Sequence, residues 1–454
     1  MFAKHNEKLP SGSLFVFWRI EIYYFLFLAK RAIIWKRYEG GCFMNYELRA
    51  DAERIVRAAI ASVLPDEAVR RALTGMDFPG RIILVSVGKA AWRMAKAAIA
   101  WLPQKIDAGI VLTKYGHVLH ALDGILCLEA GHPVPDENSY LGAEKILEMT
   151  QNLMATDTVL FLLSGGGSAL FEKPLIPHAE LQDITGQLLA CGADITEFNT
   201  IRKRLSAVKG GRFAQWCAPA KVEAVILSDV LGDPPDMIAS GPAAEDRTTC
   251  AQAMEIVRKY SLCLSGESLA CLRKETPKQL SNVHMQIIGS VRQLCAAAEA
   301  ECGVLGYETV FLTDQLCCEA REAGRFLGGV LRSHGQTGRK LAFLAGGETV
   351  VRLTGKGLGG RNQEVALGAA EVIAGMSSCC VISVDSDGTD GPTDAAGGYA
   401  DGDTVKSLKK QNISLEDVLR NNDSYHALKA IDGLIMTGPT GTNVNDISVA
   451  LLCP

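Results

Sequence analysis

Thr158-Val-Leu-Phe-Leu-Leu-Ser164-Gly165-Gly166-Gly167-Ser168-Ala-Leu-Phe-Glu-Lys-Pro174 is the stretch from which the rest of the chain is read. Its unbroken apolar run predicts a strand buried on both faces, the kind found in sheets covered by helices on each side. The glycine triplet removes every Cβ from the turn that follows. Backbone N–H groups can then converge on a small anion, while the segment from Ser168 onward opens a helix whose N-terminus adds partial positive charge. Ser164, Gly165, Gly166, Gly167 and Ser168 are therefore candidate phosphate-binding residues. The P-loop lysine pattern and the full dinucleotide fingerprint are both absent, which argues against a standard NTPase or NAD-binding fold.

Outward from this stretch, helical and apolar strand patterns alternate, the mark of a parallel α/β sheet. Residues 81–87 predict a strand, Gly88-Lys89 a turn and residues 90–102 an Ala-rich helix. Lys89 thus falls at the carboxyl end of a strand, the edge where open α/β sheets bind ligands. A lysine at a helix start also opposes the macrodipole and so wants an anion nearby. Strands at 109–113 and 125–129 follow, and the second runs into the rigid turn Gly131-His132-Pro133, whose His132 could face the same crevice, though as a lone histidine it reads as structural. Residues 199–212 predict a helix with Arg202, Ser206 and Lys209 on one side and Ile201, Leu205 and Val208 on the other. That density of positive charge is expected to face phosphates or a carboxylate, which makes Lys209 a candidate nucleotide ligand. A strand at 222–227 delivers Asp229, placed to hold Mg²⁺ or to accept a proton from a hydroxyl.

A polar stretch at 275–282 predicts a domain boundary, after which the alternation restarts with strands at 285–289, 307–312 and 340–345. Gly346-Gly347-Glu348 and a short strand lead into a second glycine loop, in which Gly357, Gly359 and Gly360 are candidates for the nucleotide. Arg361 closes that loop at a helix start, placed to fork onto a carboxylate or phosphate. The strand at 379–384 feeds a carboxylate-rich loop with Asp387 and Asp390 as candidate Mg²⁺ ligands. A Gly/Thr loop at 437–446 suits phosphate oxygens. The expected architecture is two α/β domains with mostly parallel sheets flanking an active-site cleft, over residues 44–278 and 279–454.

A net charge of −5 over 454 residues argues against nucleic acid as the main partner, so an anionic substrate must be drawn in by local Lys and Arg. The 14 cysteines are scattered and lack paired CxxC spacing, as expected of free thiols in a reducing cytoplasm. Residues 1–43 are rich in Phe, Trp and Tyr, but Arg19, Glu21, Lys30 and Arg31 interrupt any membrane span, and no signal-peptide cleavage pattern is present. They are expected to be a non-native or disordered extension ahead of a start at Met44. The expected partners are small molecules, with no membrane and with a monomer or a homodimer both open.

The ordered set SVGKA (86–90), LSGGGSALFEKP (163–174), NTIRKRLSAVKGGR (199–212), LSDVLGDPPDMIASGP (227–242), GGETVV (346–351), GKGLGGRNQE (355–364), SDGTDGPTDAAGG (386–398), NNDSYHAL (421–428) and TGPTGTNVND (437–446) resembles the class II glycerate kinases. In that glycerate 2-kinase family an N-terminal DUF4147 region precedes a C-terminal MOFRL region, and the likeness runs from Met44 to Pro454. The resemblance implies transfer of the ATP γ-phosphoryl group to the 2-hydroxyl of D-glycerate with Mg²⁺. It also implies that the key cations are the lysine of the GKA turn, Lys89, and the arginine of GGRNQE, Arg361. Two departures stand out. Arg202-Lys203-Arg204 replaces an RKH string, which puts any histidine role there in doubt, and Ser386-Asp387-Gly388 replaces Thr-Asp-Gly. Relatives have also been named hydroxypyruvate reductases, an activity that would need a nicotinamide pocket for which no fingerprint is present. A non-catalytic ligand sensor is the other alternative, and the carboxylates at strand-end loops speak against it.

Overall fold

The apolar runs of the first half become strands β1 (Ile82–Val87), β2 (Ile106–Lys114), β3 (Ile125–Ala130), β4 (Thr158–Leu163), β5 (Lys221–Leu227) and β6 (Val283–Gly289). They hydrogen-bond in the order β3-β2-β1-β4-β5-β6, every pair parallel. β1 and β4 lie at the centre and are buried along their whole length, which is why neither alternates polar and apolar residues. The computed structural model describes residues 43–102 and 106–454. The expectation for residues 1–43 falls almost wholly outside that range. Leu48–Pro454 form one compact unit.

β6 follows the boundary expected at 278, yet pairs in register with β5, so the first sheet draws on residues from both sides of that point. The second sheet comprises β7 (Glu308–Leu316), β8 (Leu341–Gly347), β9 (Cys379–Asp385), β10 (Gly397–Asp401), β11 (Leu434–Ile435) and β12 (Asp446–Leu452), in the order β11-β10-β9-β12-β8-β7. Only β7 and β8 are parallel there, and β12 runs antiparallel between β8 and β9. Counting both sheets, six of the ten ladders are parallel, as expected of the mostly parallel α/β class.

One apolar cluster joins the layers. It takes Leu84, Leu160 and Val225 from the first sheet, Leu344, Ile382 and Val449 from the second, and Trp92, Met94 and Leu294 from helices between them. Burying each such side chain contributes about 1.5–3 kcal/mol, so the sheets are held together chiefly by this shared interior. Among the described residues no helix is long and apolar enough to cross a membrane, and the 13 described cysteines are free thiols.

Three expected elements are corrected. The helix expected over 199–212 is observed as Ile195–Arg204, and the chain then leaves the helix so that Leu205 O and Ala207 N can bond to Leu175 N and Lys173 O. No strand follows Glu348, where Val350 forms only an isolated bridge to Glu319. Conversely β10 forms where a loop was expected, and the missing Cβ of Gly397 lets it pass directly over the Ser383 carbonyl of β9.

Candidate active site

From β1 the chain continues to β2 on one side of the first sheet, whereas β4 lies on the other side. The crevice at the carboxyl ends of β1 and β4 is therefore the topological switch point, the usual ligand position in such a sheet. Two loops are stitched together there. Lys89 N donates to Gly165 O at 2.8 Å, Ala90 N donates to Ser164 Oγ at 3.0 Å, and Ser164 N donates to Val87 O at 2.9 Å. Ser164 is thus committed to positioning the Lys89 turn.

Each glycine of the triplet admits a different neighbour. A Cβ on Gly165 would overlap the Asp229 carboxylate, and one on Gly167 would lie 2.7 Å from Ala239 Cβ. At Gly166, where φ is +84°, it would lie 3.0 Å from His132 Cδ2 and 3.2 Å from Lys89 Cγ. The triplet thereby brings Lys89, His132 and Asp229 against one turn. The backbone N–H groups of Gly165, Gly166, Gly167 and Ser168 have no protein acceptor among the described residues. Four adjacent free donors beside a lysine are an anion site in outline.

The electrostatics agree. Lost solvent, together with repulsion from Lys89, Lys114 and His117, lowers His132 to about 4, so its ring is neutral at pH 7. His117 Nδ1 donates to Lys89 O at 2.9 Å and so lies against the same turn. His132 is therefore a neutral ring set against the same turn as Lys89. Lys114 and His117 were missed altogether, because they come from the ends of neighbouring strands. Burial raises the Asp229 carboxyl, Lys89 draws it down again, and the charge of Glu348 pushes it further up. Glu348 follows β8, so the end of the second sheet faces Asp229.

Glu348 leads to Arg361, the first residue of helix Arg361–Ile373. The guanidinium forks onto Asp446, with Nε to Oδ2 at 2.6 Å and Nη2 to Oδ1 at 2.9 Å, and reaches Asp385 at 2.8 Å and Glu348 at 3.2 Å. Burial alone would lower its pKa, but the bond to Asp446 and the charges of Asp446, Asp385 and Glu348 raise it instead. Arg361, expected to fork onto a carboxylate or phosphate, forks here onto the carboxylate of Asp446 and also meets Asp385 and Glu348.

Other expected site residues are corrected. Lys209 is fully buried, donating to Ser168 O at 2.8 Å and Phe171 O at 2.9 Å, so it supports the first glycine loop from behind and cannot reach a nucleotide over the loop. Lys203 and Arg204 are likewise buried on Asp236, Asp246 and Glu275. A Cβ on Gly357 would lie 2.5 Å from Asp423 Cβ, and Gly359 and Gly360 would overlap Ser424 and Asp390 if they carried one. The amides of Gly357 and Leu358 are taken by Asn421 O and Asp423 Oδ1. The second glycine loop is thus closely packed on Asn421, Asp423, Ser424 and Asp390, with the Gly357 and Leu358 amides already engaged. Thr440 and Thr442 spend their hydroxyls on Ser386 O and Val63 O.

Asp390 is already engaged within the protein. Its two oxygens accept from Asn362 N at 3.1 Å and Gln363 N at 2.9 Å, capping the helix that Arg361 begins. Burial raises its carboxyl to about 7. Asp387 Oδ1 closes a turn by accepting from Thr389 N at 2.7 Å. Asp229, Asp387 and Asp390 therefore do not converge, and among the described residues no trio of His, Cys, Asp or Glu is gathered for a metal.

Comparison with known proteins agrees with the motifs. Residues 51–273 match the domain of unknown function DUF4147, and residues 341–446 match the MOFRL family. The D-glycerate 2-kinase of Thermotoga maritima is 49% identical over 411 residues, covering 89% of this chain and 98% of that protein. The glycerate 2-kinase of Pyrococcus horikoshii is 39% identical, covering 89% of this chain and 98% of that one. The crystal structure of the Thermotoga maritima glycerate kinase superimposes with a TM-score of 0.87 over 90% of this chain and 100% of that chain. With both regions present in order and near-complete coverage of such relatives, the chain belongs to the class II glycerate kinase, or glycerate 2-kinase, family.

Proposed function

We propose that this protein transfers the γ-phosphoryl group of ATP to the 2-hydroxyl of D-glycerate. The observation that carries this reading is the run of four unpaired amides, Gly165 to Ser168, beside the Lys89 side chain at the switch point of the first sheet. Phosphoryl transfer asks little of a protein beyond alignment and charge neutralisation. The amides would hold phosphate oxygens, and Lys89, which has no ion-pair partner among the described residues, would meet the charge on the moving group. Family membership with proteins named D-glycerate 2-kinase supports the acceptor.

The charge of Glu348 reaches Asp229 across the cleft. Either carboxylate could serve Mg²⁺, which takes one or two protein carboxylates and completes its shell with phosphate oxygens and water. When bound, the ion would neutralise phosphate charge. The two oxygens of Asp229 allow one to face the cation and the other to orient the attacking hydroxyl. Arg361 Nη1 donates to Glu348 Oε1 at 3.2 Å and so steadies Glu348 at the edge of the second sheet.

The direct test supplies purified protein with D-glycerate, MgATP and NADH together. Formation of ADP and a phosphoglycerate whose ³¹P spectrum is that of the 2-isomer supports the reading. Consumption of NADH, or formation of the 3-isomer, overturns it. A second measurement reads the site itself. His132 is held to about 4 partly by its cationic neighbours, so an anion among them should cancel that repulsion and raise its pKa by about one unit or more. Histidine ring NMR with and without inorganic pyrophosphate measures this. An unmoved His132 resonance under saturating pyrophosphate would place the anion elsewhere.

A further inference from the structure

Behind the first glycine loop lies a charged group of residues that no step above uses. Glu172 is fully buried and neither of its carboxylate oxygens has a hydrogen bond. It is held by charge, with Arg202 Nε and Lys209 Nζ each 3.5 Å from Oε2. The buried Tyr140 hydroxyl, also without a partner, feels the charge of both Glu172 and Arg202. Both cations turn their remaining donors to the loop. Arg202 Nη2 and Lys209 Nζ each donate to Ser168 O at 2.8 Å, and Lys209 adds Phe171 O at 2.9 Å.

Two cations against one carboxylate leave a surplus positive charge, buried one peptide unit behind the amide of Ser168. Charge in a solvent-poor interior is weakly screened and acts on whatever sits across the loop. Two cationic donors on one carbonyl also fix the Ser168–Ala169 peptide plane, whose N–H bonds back to Gly166 O at 3.2 Å, and so brace the loop from behind. We propose that Arg202, Lys209 and Glu172 are positioning residues that set the anion affinity of the Gly165–Ser168 loop from behind, with Glu172 holding that affinity below its maximum. This rests on the reading of that loop as the phosphate site. Glu172 neutralises one of the two cations and also helps Lys209, which burial lowers to about 8, to keep its proton, so without it the surplus grows only where the pH is low enough for Lys209 to stay charged.

The consequence is opposed signs within one cluster. Glu172→Gln keeps the shape, removes the negative charge and, at pH 6 where Lys209 keeps its proton, should tighten ADP binding about three- to tenfold. Lys209→Met removes a cation and should weaken it about tenfold, with kcat at saturating ATP changed far less than KM. Isothermal titration with ADP alone, on the full chain, reads both. A packing role would make the two variants weaken binding together, and either that result or an unchanged Kd in Glu172→Gln overturns the proposal. Should Lys209→Met fail to fold, the sign of the Glu172→Gln effect decides alone. Gly166→Ala separates the two levels of inference: if ADP binds the wild type and this variant equally, the loop is not the phosphate site, and the proposal falls with that reading.

Discussion

Lys89→Met is expected to lower kcat about 10²–10³-fold while leaving the fold intact, the scale found when one preorganised electrostatic group is removed from a developing charge. Lys89 is the residue that β1 delivers to the switch point, and its backbone is tied to Gly165 O whatever side chain it carries. Its side chain lies along Gly166, next to four amides without acceptors. Since no carboxylate pairs with its ammonium among the described residues, removing the charge strands no buried partner. Stability should change by no more than about 0.5 kcal/mol, as for a partly exposed side chain. Two electrostatic signatures should accompany the loss. The Asp229 carboxyl, which Lys89 draws down, should rise further, moving the acidic limb of the activity profile to higher pH. His132 should rise as well, because one of the charges repelling its protonated form is gone. Kinetics against pH, urea unfolding and ring NMR test these together. Activity within threefold of wild type would remove Lys89 from the chemistry.

The parts of this site legible in the sequence are those fixed by neighbours along the chain. An apolar run followed by Gly-Lys or Gly-Gly-Gly and then a helix pattern puts Lys89 and the triplet at strand ends, because strand and helix periodicities are local properties. What the side chains do there is set by residues far away in sequence. Gly165–Gly167 and Gly357–Gly360 look alike as strings, yet the Gly357 and Leu358 amides go to Asn421 O and Asp423 Oδ1, whereas those of Gly165–Ser168 meet no protein acceptor among the described residues. Arg361 and Lys209 were each read as cations in want of an anion. Each already has carboxylates, supplied by Asp446 and Asp385 in one case and by Glu172 in the other. Charge density was read correctly, but its ownership was not, since an ion pair across dozens of residues leaves no periodic trace. Asp385 and Asp446 did carry a signal of their own. One ends a strand and the other begins an antiparallel neighbour, so pairing β9 with β12 would have brought them together.

Arg361→Met should be the most destabilising single change at this site, and its cost should grow with pH. In the wild type one guanidinium serves three carboxylates, two of them buried. Burial, the charge of Asp446 and that of Asp387 push Asp385 well above the usual carboxylate range, and burial pushes Asp446 up also, while Arg361 pulls both down. Deleting the partner of a buried ion pair typically costs about 3–5 kcal/mol, because the remaining charge is left without water or counter-ion. The sign follows from proton linkage. A carboxyl whose folded pKa lies above its unfolded value favours the folded state when protonated, and that contribution is lost as pH rises through the folded pKa. Without Arg361 both carboxyls move further up. The variant should therefore be nearly as stable as wild type near pH 4–5, where they can take up protons, and should fall behind steadily toward pH 8. Arg361→Lys should show the same trend at reduced size, because an ammonium cannot hold both oxygens of Asp446 and still reach Asp385 and Glu348. Urea midpoints for the three proteins across that range provide the measurement. A gap that does not change with pH would mean that Asp385 and Asp446 do not depend on Arg361 for their charge, and the account of the second sheet's edge would have to be abandoned.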